Sequence, residues 1–209
     1  VRSLKLPDAE FNNPLIIDLP GHGDSKGTSS NTIESYSKFL IECLETYDLN
    51  ELSLCGHSMG GLIALEMAMQ KNFSVQSIIL VNSIYPTRVA EPLLAKAKAS
   101  NGGAADFIIK YGLYKRLLGI KNAFSEEDDL VMLDDLEACN SYQLDLNVIK
   151  DLEIPISIIL GSKDKLVDLK AVESFANTVP CKTHTVEEAG HFLFFDQPNE
   201  LSKLIAQLA

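Results

Sequence analysis

The stretch Leu52-Ser53-Leu54-Cys55-Gly56-His57-Ser58-Met59-Gly60-Gly61 constrains this chain more than any other. A short apolar run ends at a glycine, turns around a serine and enters a helical pattern through two more glycines. Gly56-His57-Ser58-Met59-Gly60 fits G-x-S-x-G, the spacing in which a strand hands over to a helix through a strained turn with serine at its tip. The pattern predicts small residues two before and two after the serine, because side chains there would collide with neighbouring backbone. The turn lifts the hydroxyl above the sheet edge, and the helix N-terminus beneath it favours developing negative charge. A glycine-rich connection without chemistry shares these five letters. The strand before, the helix after, and the later Asp and His give the motif its weight.

The rest of the chain supplies that frame. Leu15 to Leu19 predicts a short buried strand, and Pro20 to Gly27 a loop. Gly21 and Gly23 begin a dinucleotide fingerprint, but the spacing fails before helix starts, so no cofactor is expected there. Asn31 and Glu34 resemble a capping box ahead of Ile33, Tyr36, Phe39, Leu40, Cys43, Leu44 and Tyr47 at helical spacing. After the elbow helix, Ser77 to Val81 is a continuous apolar strand. From Pro86 to about Asn147 the strand–helix alternation stops. Helices are expected over Glu91 to Ala99, over Ala104 to Leu118, after a Ser125/Asp128 cap, and over Tyr142 to Val148. The alternation resumes with a strand at Ile154 to Leu160, a helix at Leu169 to Thr178, a strand at Thr183 to Val186 and a helix at Pro198 to Leu208. The expected class is α/β, a mostly parallel sheet covered by helices on both faces with a helical lid inserted between strands. Residues 1–85 and 148–209 form the core in this reading, and 86–147 the lid.

Composition narrows the partners. A formal net charge of −11 argues against nucleic acid and anionic membrane. No apolar run is long enough to span a bilayer. Cysteines 43, 55, 139 and 181 show no metal spacing and read as buried apolar residues in a reducing compartment, which points to the cytoplasm. No metal or organic cofactor is expected, and the expected partner is a small-molecule acyl substrate.

A serine hydroxyl needs a base to take its proton and a carboxylate to orient that base. The sequence has four histidines. His57 adjoins Ser58, so its side chain should point elsewhere; His22 lies on an early loop, and His184 within a strand. His191 follows a glycine on a loop at the far end of a strand, where a parallel sheet presents its site, and is the expected base. Asp164 follows another strand end and is the expected acid, with Asp168 on the same loop as its competitor. Ser, Asp and His then fall in the order of an elbow-type triad.

Four motifs in this order, Asp18-Leu19-Pro20-Gly21-His22-Gly23-Asp24-Ser25, Gly56-His57-Ser58-Met59-Gly60-Gly61, Gly161-Ser162-Lys163-Asp164 and Gly190-His191-Phe192, resemble the α/β-hydrolase fold superfamily, in its lid-bearing esterase and lipase branch. The resemblance implies a serine hydrolase acting on a small to medium carboxylic ester or related acyl compound through an acyl-enzyme. It implies Ser58, Asp164 and His191 as triad and the Met59 amide as first oxyanion donor. The family also places strands, and a loop with the second oxyanion donor, ahead of the segment at Leu15; nothing upstream of Pro14 matches them. A start at Val1 reads as a piece of a longer protein, with a shortened member, or a sheet completed by another segment, as alternatives. The shortened start also motivates a reading of another class, a non-catalytic module that binds a ligand or partner on the same fold.

Overall fold

The computed structural model describes residues 14–47, 49, 51–70, 73–115 and 129–209. Two apolar runs form the middle of its sheet. β2 (Ser74–Val81) and β3 (Ile156–Gly161) lie side by side, flanked by β1 (Glu51–His57) and β4 (Cys181–Val186), in the order β1-β2-β3-β4. All three pairings are parallel, with Ile78 opposite Ile156 and Leu80 opposite Ile158. β3 is buried along its whole length, whereas β1 and β4, the outer strands among the described residues, are more exposed.

The period-2 pleat sorts the central strands onto two cores. Ile78, Leu80, Ile158 and Leu160 pack with α1 (Ile33–Leu44), α2 (Met59–Met69) and α7 (Leu169–Thr178) on one face. Ile79, Val81 and Ile159 pack on the other with Leu193 of α8 (Leu193–Asp196) and with Leu201 and Ile205 of α9 (Pro198–Leu208). α2 is apolar almost all round and buried from Gly61 to Ala68, as expected of a helix wedged inside a core. Its one acid, Glu66, is buried but paired: Tyr142 Oη and Gln70 Nε2 each donate to it at 2.8 Å.

Between β2 and β3 the described residues carry four helices and no strand: α3 (Glu91–Lys98), α4 (Gly103–Gly112), α5 (Asp129–Ser141) and α6 (Leu146–Asp151). α3, α4 and α5 share a small core of their own around Leu93, Ala97, Ala104 and Met132.

Several boundaries differ from expectation. Leu15 to Leu19 forms no regular secondary structure and pairs with no strand among the described residues. Leu15 and Ile16 are 49% and 67% exposed, while Ile17 and Leu19 lean on the main core. Apolar residues make a strand only where neighbouring backbone takes their hydrogen bonds. Thr32, not Asn31, caps α1, its side chain accepting from Ser35 N. α4 ends at Gly112 rather than at Leu118, and residues 116–118 lie outside the described residues, as does the expected Ser125/Asp128 cap. α6 begins at Leu146, because Asp145 accepts from Asn147 N at 2.9 Å and caps it there, while Tyr142 is taken up by Glu66. All four cysteines are free, yet only Cys139 is buried, Cys43 and Cys181 are half-buried and Cys55 is exposed on β1. Burial pushes the Cys139 thiol up to about 12. No helix among the described residues is long and apolar enough to cross a membrane.

Candidate active site

Ser58 sits between β1 and α2 with φ 51° and ψ −121°, a region that costs a non-glycine residue about 1–3 kcal/mol. The turn is held on both sides. Ser58 N donates to Val81 O, continuing the β1–β2 pairing, and Gly61 N donates to Ser58 O, each at 3.0 Å. Close approach explains two glycines. A methyl group on Gly56 would fall on the Gly60 carbonyl, and one on Gly61 on the Ser83 side chain. At Gly60 a methyl would meet nothing within 4 Å. The expectation of crowding two residues either side of the serine is therefore right before it and wrong after it, where the crowding falls on Gly61. Met59 opens α2, so its amide is one of the first four N–H groups that lack a partner within the helix.

His191 and Asp164 come together from different strand ends. His191 Nδ1 lies 2.8 Å from Asp164 Oδ2, and both side chains are buried, at 8% and 4% exposure. The other carboxylate oxygen, Oδ1, accepts from Leu166 N at 2.7 Å and Val167 N at 3.2 Å. Burial works to raise the Asp164 carboxyl, but the hydrogen bond and charge of His191 and the two amides outweigh it and hold the group below its ordinary value. Asp164 therefore faces His191 as a carboxylate, an acceptor for a proton on Nδ1. Asp168 is used otherwise: it caps α7, its Oδ1 accepting from Lys170 N at 2.9 Å.

Ser58, Asn82, Asp164 and His191 each follow the carboxyl end of one of the four parallel strands, the rim at which open α/β sheets hold their ligands. Two of the groups there escaped the sequence reading. His57 reaches the loop of His191: its Nε2 donates to His191 O at 2.8 Å, with ring centroids 4.8 Å apart. Burial, with the charge of His191 adding to it, pushes His57 down to about 3, so the ring is neutral. Asn82, just past β2 with φ 43°, is buried and fully used. Its Nδ2 donates to Gly190 O at 2.9 Å and His191 O at 2.7 Å, and its Oδ1 accepts from Gly161 N at 2.8 Å. The position directly after an apolar strand, the same cue that singles out Asp164, was its only signal.

The remaining histidines are placed elsewhere. His22 Nε2 lies 2.8 Å from Asp135 Oδ2 on α5, and Tyr36 Oη donates to Asp135 Oδ1 at 2.7 Å. His184 lies in β4, its Nε2 buried with no hydrogen-bond partner among the described residues. Among the described residues no group of three or more His, Cys, Asp or Glu side chains is arranged to hold a metal ion.

Comparison with known proteins agrees with this architecture. An esterase from Exiguobacterium antarcticum superposes with a TM-score of 0.80 over 91% of this chain and 78% of its own, at 17% identity. In sequence, 3-oxoadipate enol-lactonase 1 of Acinetobacter baylyi is 24% identical over 200 residues, 90% of this chain and 75% of the relative. The (E)-2-((N-methylformamido)methylene)succinate hydrolase of the same organism is 30% identical over 95 residues, a match spanning 44% of this chain and 36% of that relative. The model of the alpha/beta hydrolase family matches residues 4–204. With the parallel sheet and the strained strand-to-helix serine turn, that match makes the chain a member of the alpha/beta hydrolase family.

Proposed function

We propose that this protein is a serine hydrolase of small to medium carboxylic esters or related acyl compounds, working through an acyl-enzyme. The observation that carries the reading is the buried 2.8 Å contact between His191 Nδ1 and the Asp164 carboxylate, on the same strand-end rim as a serine held at φ 51°. Membership of a family of hydrolases, and relatives named as an enol-lactonase and as a pimeloyl-[acyl-carrier protein] methyl ester esterase, support an ester carbonyl as the target.

Ser58 Oγ attacks the carbonyl carbon while His191 Nε2 takes its proton. Asp164 holds the imidazole in the needed tautomer and stabilises the imidazolium. The Met59 amide at the start of α2 donates to the oxyanion, and the helix N-terminus adds its field. His191 then gives the proton to the leaving oxygen. A water deprotonated by the same imidazole then attacks the acyl carbon, the bond to Ser58 Oγ breaks to release the acid, and His191 returns the proton to Ser58 Oγ. The helices between β2 and β3 serve as the lid that selects the acyl group.

The test is turnover of a chromogenic short-chain ester together with labelling by a fluorophosphonate. The parent protein should turn over ester and label at Ser58; Ser58→Ala should lose labelling and at least about 10³-fold in kcat. Equal turnover by both proteins overturns the serine mechanism. Ligand binding with neither turnover nor labelling would make the protein a binding module on the same fold.

A further inference from the structure

Asn82 has no part in the chemistry proposed above, yet it is one of the most heavily bonded side chains near the rim. Its carboxamide stands between two loops that come from different strands. On one side Oδ1 accepts from Gly161 N at 2.8 Å, the last residue of β3, from which the Asp164 loop departs. On the other Nδ2 donates to both Gly190 O and His191 O, at 2.9 and 2.7 Å. The Asn82 amide also donates to Ile159 O at 2.8 Å, so the left-handed backbone at φ 43° is pinned to β3 as well. Asn82 is 1% exposed, so no water competes for these bonds.

His57 completes the bracket. A carbonyl oxygen can only accept, so the contact with His191 O places the His57 proton on Nε2. The two lone pairs of His191 O are then filled by two side chains, His57 and Asn82. The amide of the same residue donates to Gly112 O at 2.7 Å. The backbone of His191 is thus clamped at both of its peptide groups before its imidazole meets Asp164.

We propose that Asn82 is a positioning residue: it fixes the distance between the acid loop and the base loop, with His57 holding the same carbonyl from the elbow side. The proposal rests on the reading of His191 as general base. It says more than that Asn82 stabilises the fold. Asn is the side chain that can donate to two carbonyls and accept from an amide at once. Asp offers the same shape without the donors, and Ala leaves Gly161 N, Gly190 O and His191 O without that partner.

The experiment compares the full chain with Asn82→Ala, Asn82→Asp and His57→Phe. Ester kinetics are measured well below each melting temperature, alongside the far-downfield proton NMR resonance of the His191 Nδ1–H···Asp164 bond. For Asn82→Ala and Asn82→Asp we expect kcat to fall on the order of 10²-fold with KM within about threefold, the scale of a misplaced catalytic group. The downfield resonance should shift or broaden. His57→Phe keeps an aromatic ring beside Phe192 and Phe194 and loses one donor, so kcat should fall about tenfold with the same change in the resonance. A folded Asn82 variant with kcat within twofold of the parent and an unmoved resonance overturns the proposal. If neither Asn82 variant folds, the same result with His57→Phe overturns it. Ser58→Ala and His191→Ala run in parallel. Activity surviving in those two refutes the hydrolase mechanism instead, while the resonance still reports whether Asn82 sets the His191–Asp164 geometry.

Discussion

Asp164 and His57 show how a single side chain here is tuned by what surrounds it. Asp164 is held as a carboxylate although it is buried, because His191 and two amides outweigh the cost of desolvation. Replacing it with Asn keeps the shape but invites the wrong tautomer at His191. Asp164→Asn should lower kcat on the order of 10⁴-fold, as the corresponding change does in a measured protease, with ester KM little changed. His57 is shifted for the opposite reason, its charged form being excluded by burial and by the neighbouring imidazole. Its folded value, about 3, lies below the ordinary value of about 6.5 for imidazole. Between those two values the unfolded chain binds a proton that the folded chain refuses. The stability this contributes is complete above about pH 6.5 and is lost as pH falls towards the folded value. Urea midpoints measured at about pH 7.5 and about pH 5 should therefore differ more for the parent than for His57→Phe, whose slope over that range should flatten.

At the scale of elements, the strand-to-helix turn makes an asymmetric prediction. Gly56→Ala puts a methyl group against the Gly60 carbonyl, where backbone cannot give way, and should cost at least about 3 kcal/mol in thermal or urea unfolding. Gly60→Ala meets open space in the first turn of α2 and should be neutral or stabilising by up to about 1 kcal/mol. The sequence could not make this distinction, because a five-letter pattern records where glycine occurs and not what it touches. Elements with a strong period were legible: the spans of α7 and α9 match their expected ranges, and the apolar runs at Ser77 to Val81 and Ile154 to Leu160 are the sheet centre. What failed was local competition. Thr32 displaced Asn31 as a cap, and Leu15 to Leu19 has no pairing partner among the described residues. Asp164 and Asp168 were both legible as loop acids. Their separate uses, one towards His191 and one capping α7, depend on a loop geometry that sequence does not encode locally. Asn82 and His57 were missed because their side-chain partners are backbone atoms 79 to 134 residues away.

At the scale of the molecule, two clusters of hydrogen bonds join α4 and α5 to the rest of the chain, beside the Tyr142–Glu66 contact. One is the cluster of His22, Tyr36 and Asp135, which joins the glycine-rich loop and α1 to α5. Asp135→Ala removes the acceptor of both contacts and should cost about 1–3 kcal/mol, with hydrogen exchange rising first along residues 129–141 and 20–30. The other tie is Asp196, whose carboxylate receives the amides of Gly190 at 2.8 Å, Tyr114 at 3.3 Å and Lys115 at 3.2 Å, next to the bond from His191 N to Gly112 O. The last turn of α4 is in effect spliced into the loop that bears the imidazole. Under the proposed chemistry, a substrate that prises these helices apart far enough to enter would also unseat the proton acceptor. Docking and reaction would then be interlocked: the machinery disarms while the door stands open and rearms when α4 returns to its seat.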